Sequence, residues 1–539
     1  MTRRDFLFLT LLAGGLFVLW ANLLPQRRKV AAALPPNSVY VDPAFRTTLV
    51  QLNATVRAGW TAEQLTPAPA APDLLIARRL SLALVGSVPS LEEVRQFEAL
   101  PPGEQLPWWL DKLLADRRFA DYWAERFARM TVGTEDGPFV LFRRRRYVAW
   151  LSDELYKNRP YDSLVREIIA TNGLWTDRPA TNFVSVTARN EMNNLPDPVR
   201  LAGRVTRAFL GLRIDCAQCH DHPFAAWKQT DFEGFSAYFG QTQIGLGGVS
   251  DGPANNPEEY RVEDKETHEM LVVPPGVPYA PDALPAGGSR RQQLAAWVTS
   301  PRNPYFSRAI VNRVWALLTG RPLIAPVDNV ETDGPPPAVL QLLADDFTAH
   351  GHDLRRLVRL IAASDAFARD SRAPHELTDA HDRAHAAFPV TRLRPEQVSG
   401  SVMQSAALTT NDAQAHLFLR LIRYTQQNQF LERYSDRVDD EFDNAGGTIP
   451  QRLLLMNGDV VRERIKPTAM NASLRVAQLA PTDAAAVEAA FLLTLTRRPT
   501  PAEAVHFTKF VTDTDASRAE RFEDVWWSLI NATEFSWNH

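Results

Sequence analysis

Cysteine is nearly missing from this chain: there are two in 539 residues, Cys216 and Cys219. So few cannot form a disulfide framework for a protein of this size. Net charge is also small. The 59 Lys plus Arg face 63 Asp plus Glu, a formal balance of −4, which offers no electrostatic basis for nucleic acid as a partner. Glycine is sparse beside proline, 26 against 39, as expected of helices separated by stiff loops. No repeat of fixed period, G-x-S-x-G, H-E-x-x-H or phosphate-cradling glycine loop occurs, so the usual signatures of solenoids, serine hydrolases, zinc proteases and nucleotide binders are absent. What remains is ordinary for a globular protein. The apolar fraction is 45% and the charged fraction 23%, which excludes wholesale disorder, and the length suits about two to four domains. Thirteen Trp and 27 Phe predict bulky aromatic contacts between helices.

The first 30 residues read as a signal or membrane anchor. Arg3 and Arg4 precede residues 6–24, which carry no charge and as a helix span about 28 Å, close to the bilayer core. That length favours an uncleaved anchor over a cleaved signal, although Gly14 and Gly15 weaken the helix and Ala31, Ala32 and Ala33 offer a small-residue cleavage site. Arg27, Arg28 and Lys29 flank the other end, so the positive-inside rule does not decide orientation. Thr2-Arg3-Arg4-Asp5-Phe6-Leu7 also resembles a twin-arginine export signal. The expectation is export across a bacterial inner membrane, with the protein on its periplasmic side, N-terminally anchored or secreted.

The rest divides by pattern into a mainly α, multi-helical, two-domain architecture. Residues 31–72, rich in Pro and Ala, read as a spacer with little fixed structure. Residues 73–240 form the first helical domain. In it Ser90-Leu91-Glu92-Glu93 is a capping box, and Phe119, Tyr122, Trp123, Phe127 and Met130 share one helix face. The basic run 143–146 reads as a solvated helix face, or as a contact for anionic lipid or haem propionate. Asp197 caps a helix that opens on Pro198. Residues 241–288 break the rhythm with Gly, Asn and Pro and read as an irregular, partly β excursion. Its apolar piece, residues 270–273, is expected to need cover. Residues 289–539 form the second helical domain, starting at Ser289 and expected to pack against the first. One of its helices stops at Gly320. His350 and His352 read as exposed turn residues. The acidic pairs Asp345 with Asp346, and Asp439 with Asp440 and Glu441, read as solvated.

One motif carries chemistry. Cys216-Ala217-Gln218-Cys219-His220 is C-x-x-C-H, the c-type haem attachment pattern. Two thiols three residues apart on a helical turn can add to the two haem vinyl groups, and the following imidazole can reach the iron. Both cysteines of the chain are used here, behind an export segment that takes the motif to where c-type haem is attached. Arg204, Arg207 and Arg213 are candidates to pair with propionates. Met130, Met192, Met270, Met456 and His268 are candidate distal ligands, and a five-coordinate iron with no distal ligand is equally open. Two other readings stand beside haem. Asp215, Cys216, Cys219, His220, Asp221 and His222 form a dense group of metal-ligand types, and two thiolates with two imidazoles would satisfy tetrahedral zinc. The third reading is a disulfide between the two cysteines, or two inert thiols.

The segments CAQCHDHPFAAW and FEGFSAYF resemble the planctomycetal cytochrome C family, two linked domains of unknown function. The first domain resembles residues 79–240 through RRLSLALVGSVPSLEEV, LLADRRFADYWAERFARM, RPYDSLVREIIA and RAFLGLRIDCAQCHDHPF. The second resembles 291–539 through LAAWVTSPRNPYFSRAIVNRVWALLTGRPLIAPVDN, LRPEQVSGSVMQ, IPQRLLLMNGDVV and SLINATEFSWNH. The resemblance implies export, a covalent haem, and company with a second exported family related to sulfatases. Many members carry an additional small cytochrome domain with its own C-x-x-C-H, whereas residues 31–72 here contain no Cys. The first expectation is therefore one haem c on Cys216, Cys219 and His220, serving electron transfer to a periplasmic partner. The alternatives are a structural zinc or other metal scaffold using Cys216, Cys219, His220, His222 and Asp221, and a metal-dependent hydrolase acting on polysaccharide with His220, His222 and Asp221 around a metal-bound water.

Overall fold

The computed structural model describes residues 38–539 except 135–136, 138–140, 189–194, 223–224, 252–258, 265–266, 332–333, 412–429, 431–433, 435–441, 443–447, 470 and 513–515. The export segment, Phe224, Met192 and the acidic run 439–441 lie outside the described residues. Among the described residues, no helix is long and apolar enough to cross a membrane.

The chain is mainly helical, with three antiparallel strand pairs. Local signals are placed as the sequence predicts. Ser90 and Glu93 exchange side-chain and backbone bonds at the head of helix Leu91–Glu98, and Ser289 does the same with Gln292. The Asp197 carboxylate accepts from the amides of Val199 and Arg200. Helix Pro304–Thr319 ends on Gly320 at φ 82°, a left-handed stop that glycine adopts without strain. Phe119, Trp123 and Phe127 are buried on one face of helix Arg117–Val132. In the basic run, Arg144 pairs with Glu125 and Arg146 donates to the Thr176 carbonyl.

The spacer expected over 31–72 is replaced by helix Pro43–Ala62, which buries Phe45, Leu52, Val56 and Trp60. Asp42 caps it by accepting from the Phe45 amide, and Pro43 sits where a missing N–H costs nothing. Proline and alanine here open and fill a helix instead of interrupting one.

Apolar contacts divide the chain differently from its sequence pattern. A first core draws on residues 45–388 and a second on 393–535, with Leu82 and Val88 crossing into the second. Helices Arg290–Val298, Pro304–Thr319, Ala338–Ala349 and Leu354–Ala362 therefore complete the first core. The expected packing of residues after 289 against those before 240 is observed, and it goes as far as a shared interior. Helix Asp73–Val85 joins the two cores. Its Leu80 and Leu84 face the first and Leu82 the second. Buried Arg78 donates to the carbonyls of Thr494 and Phe535 in the second. Glu396 pairs with Arg126 at 2.6 Å across the same junction. Burial alone would raise the Glu396 carboxyl, but Arg126 and Arg129 outweigh it and hold it at about 2.

The excursion at 241–288 carries two of the strand pairs, Gln243–Gly245 with Gly248–Ser250 and Arg261–Glu263 with Met270–Val272. Among the described residues the cover expected for its apolar piece is not there: Met270, Leu271 and Val272 are exposed on a two-stranded ribbon. The third pair joins Thr391–Arg392 to Trp537–Asn538.

Two further readings are corrected by burial. His352 is buried between Phe306 and Phe347, with ring centroids 5.6 and 5.2 Å away. Burial lowers its pKa against the pull of Asp162. Asp346 is buried too, accepting from Arg356 Nε at 2.9 Å, from its terminal nitrogen at 2.8 Å, and from the Thr48 hydroxyl at 2.9 Å. A charged side chain at the edge of an amphipathic helix reads as solvated until a distant element brings it a partner.

Candidate functional site

The cysteines lie on a short connection between two helices. Helix Pro198–Val205 runs into a wider π turn, Thr206–Leu210, and the chain reverses at Gly211, φ 59°. A 3-10 turn, Ile214–Ala217, follows, and helix Gln229–Ser236 closes the unit. The first of these helices is the one that Asp197 and Pro198 mark in the sequence. Ile214 and Ala217 are buried and anchor the turn, while Cys216, Gln218, Cys219 and His220 are exposed. Spacing of three residues on so tight a turn puts Ile214 and Ala217 in line, both inward; Cys216 on the turn and Cys219 in the bend after it are on the solvent side. Both cysteines are thiols, with no disulfide between them. Of the aromatic residues that follow the turn, Phe235, Tyr238 and Phe239 are buried and Trp227 is half-buried.

His220 has a defined orientation. Its Nδ1 lies 2.7 Å from the Asp221 carbonyl oxygen. A carbonyl only accepts, so Nδ1 donates and the lone pair of the neutral ring is on Nε2. That tautomer leaves Nε2 as the ligating nitrogen, the second-shell arrangement usual for metal-binding imidazoles.

The charged residues around the turn are already engaged. Arg207 Nε lies 3.1 and 2.9 Å from the two Asp215 oxygens, and a terminal nitrogen reaches Asp328 at 3.1 Å. Arg213 holds the other Asp328 oxygen at 2.9 and 2.6 Å. Burial works against the Arg207 charge, but Asp215, Asp328 and Cys216 outweigh it and raise its pKa. Arg204 donates to the Thr131 carbonyl. These three arginines were candidates for haem propionates; Arg207 and Arg213 instead bind carboxylates of the chain, and Asp328, which lies far along the sequence, has no local signal that would reveal it. Asp221 accepts from the Gln229 amide at 2.9 Å and so heads the following helix. The His222 amide donates to the Trp227 carbonyl at 2.8 Å and closes the loop.

These positions bear differently on the two cofactors. Zinc, structural or hydrolytic, needs three or four converging donors. Among the described residues, no three of His, Cys, Asp and Glu are grouped to hold a metal ion, and Asp215 and Asp221 have other work. Covalent haem would need two accessible thiols and one accessible imidazole; Cys216, Cys219 and His220 are exposed. Of the candidate distal ligands, Met130 packs on the first core. Met270 is exposed on the ribbon beside His268, whose Nδ1 is 2.7 Å from Glu263. The Met456 carbonyl accepts from Trp527.

Two families match the chain. PSCyt2, described as a protein of unknown function (DUF1549), matches residues 51–244. PSD1, described as a protein of unknown function (DUF1553), matches residues 290–511. Neither the curated proteins nor the solved structures contain a match. The two regions lie on either side of the excursion, as the two-domain pattern predicts, and the chain therefore carries a PSCyt2 domain and a PSD1 domain in tandem over most of its length.

Proposed function

We propose that this chain is an exported, membrane-anchored redox protein carrying one c-type haem on the 216–220 turn. The observation that carries the reading is the turn itself. The only two cysteines of the chain stand exposed three residues apart, Cys216 on the 3-10 turn Ile214–Ala217 and Cys219 in the bend just after it, followed at once by an exposed imidazole oriented through Nδ1. Bound there, haem supplies one-electron redox chemistry. Cys216 and Cys219 hold it by thioether bonds, and His220 offers Nε2. Ile214 and Ala217 keep the turn seated, and Asp221 orients the imidazole through its carbonyl. The export segment places the protein on the periplasmic side of the inner membrane, where the partner is a redox protein or a sulfatase-like exported protein.

The test is the absorption spectrum of the full chain made in a host with a c-type attachment system. A Soret band that survives acid-acetone extraction, and is lost in the double variant Cys216→Ala, Cys219→Ala, is the expected result. A band fully extracted by the solvent, or none, overturns the proposal.

A further inference from the structure

The cysteine turn lies in the PSCyt2 region, yet much of what holds it comes from the PSD1 region. Residues 327–331 form a short segment after helix Pro304–Thr319 that opens in a turn, the Asn329 amide donating to the Pro326 carbonyl at 3.0 Å. Its course is set by Asn312, fully buried, which accepts from the Ile324 amide at 3.0 Å and donates to the Ile324 carbonyl at 2.8 Å. From there the segment meets the cysteine unit at four places. The Val330 amide donates to the Gly211 carbonyl at 2.7 Å. The Val330 side chain lies so close to Gly211 that a Cβ there would sit 3.1 and 3.2 Å from its methyl groups. Asp328 accepts from Arg207 and Arg213. Glu331 accepts from the Trp227 indole N–H at 3.0 Å.

These contacts fall on both sides of the turn, at 207, 211 and 213 before it and at 227 after it. An element that only buried apolar surface would not need Asp328 and Glu331 here. Charge-assisted bonds with fixed direction constrain position more tightly than apolar contact does. Asp328 also joins two arginines that flank the turn, and one of them, Arg207, interacts electrostatically with Cys216.

We propose that residues 327–331 are a positioning strap: Asp328 and Glu331, from the second domain, hold the 216–220 turn in its thiols-outward geometry, so that the site is built by both domains and by neither alone. The haem reading says what the turn is for; the strap is a claim about what fixes it, and it is tested without haem.

The experiment is hydrogen exchange read by mass spectrometry on the full chain, haem-free and with its thiols reduced. In Asp328→Asn, peptides covering residues 211–229 exchange about tenfold faster, the size expected when charged hydrogen bonds are lost. Peptides of helix Arg117–Val132 and helix Asp483–Leu495 keep their wild-type rates. Glu331→Gln speeds exchange over 222–229 in the same local way. Asp282→Asn, which breaks the exposed pair with Arg302, leaves residues 211–229 unchanged. Unchanged exchange at 211–229 in both strap variants overturns the proposal. So does a rise spread equally over helix Arg117–Val132, which is what general destabilisation would give. A chain that never binds haem leaves this result standing, and a strap that fails leaves the haem reading standing.

Discussion

His385 is buried with its Nε2 accepting from the Trp315 indole N–H at 2.9 Å, so the ring must stay neutral to keep that bond. Burial, with the Arg321 charge second, lowers its pKa from 6.5 to about 4. A folded-state pKa below the unfolded value gives stability that is present above pH 6.5 and lost as the pH falls towards 4. Between pH 7 and pH 5 this one residue is expected to remove about 2 kcal/mol of stability. The check is the pH dependence of denaturant unfolding in wild type and in His385→Gln, whose amide oxygen can still accept but does not titrate. Equal slopes in the two proteins would refute it. Asp346 gives a prediction independent of pH. It is buried and bonded to Arg356 and Thr48, so Asp346→Asn leaves Arg356 only its longer pair with Asp42 at 3.8 Å and is expected to cost about 3 kcal/mol in urea unfolding. A change below about 1 kcal/mol would mean the pair is neutral.

Both sites mark where reading residues from sequence stops. Cys216, Cys219 and His220 are legible because their chemistry lies in adjacent positions. The partners of Arg207, Arg213 and Asp346 are not, because Asp328, Arg356 and Thr48 are brought to them by the fold. Spacing along a chain carries no record of a contact made by a distant element.

The helices repeat this division. Capping residues and aromatic stripes work over one or two turns, so Ser90, Asp197 and Ser289 mark their helices correctly. Helix Pro43–Ala62 carries a signal of the same kind, Asp42 before Pro43, masked by composition. How helices pack is a different matter, since an apolar face does not name its partner, and the division into two cores near residue 390 leaves no mark in the sequence. Glycine shows how packing sets the sign of one substitution. Gly400, in helix Pro395–Ser405, faces the Gly86 carbonyl, and a Cβ there would press on that backbone oxygen. Gly400→Ala is expected to destabilise by about 2 kcal/mol or more, because the neighbouring atom is main chain and cannot swing away. Gly59, in helix Pro43–Ala62, has open space around it, and Gly59→Ala is expected to stabilise by about 0.5–1 kcal/mol. Thermal midpoints of the two variants should move in opposite directions.

At the level of the whole molecule, two family domains share one interior. The first core draws on both the 51–244 and the 290–511 regions, so unfolding should expose the cysteine turn and helix Pro304–Thr319 together. The export route bears on the chemistry of that turn. Covalent haem attachment needs reduced thiols on an accessible chain, which suits a protein that crosses the membrane unfolded, whereas the twin-arginine route typically carries folded cargo. If haem is bound, Arg3 and Arg4 are only the basic flank of a general secretion segment, and changing both to Lys leaves export nearly intact, as fractionation of cells would show. Loss of export on that conservative change would mean that the chain crosses folded. The measurement that bears hardest on the haem reading is the intact mass of the full chain, made alongside a c-type attachment system and then treated with a thiol alkylating reagent. One haem added and no alkyl groups, both Cys216 and Cys219 being blocked as thioethers, is the expected result. The unmodified chain carrying two alkyl groups would contradict it.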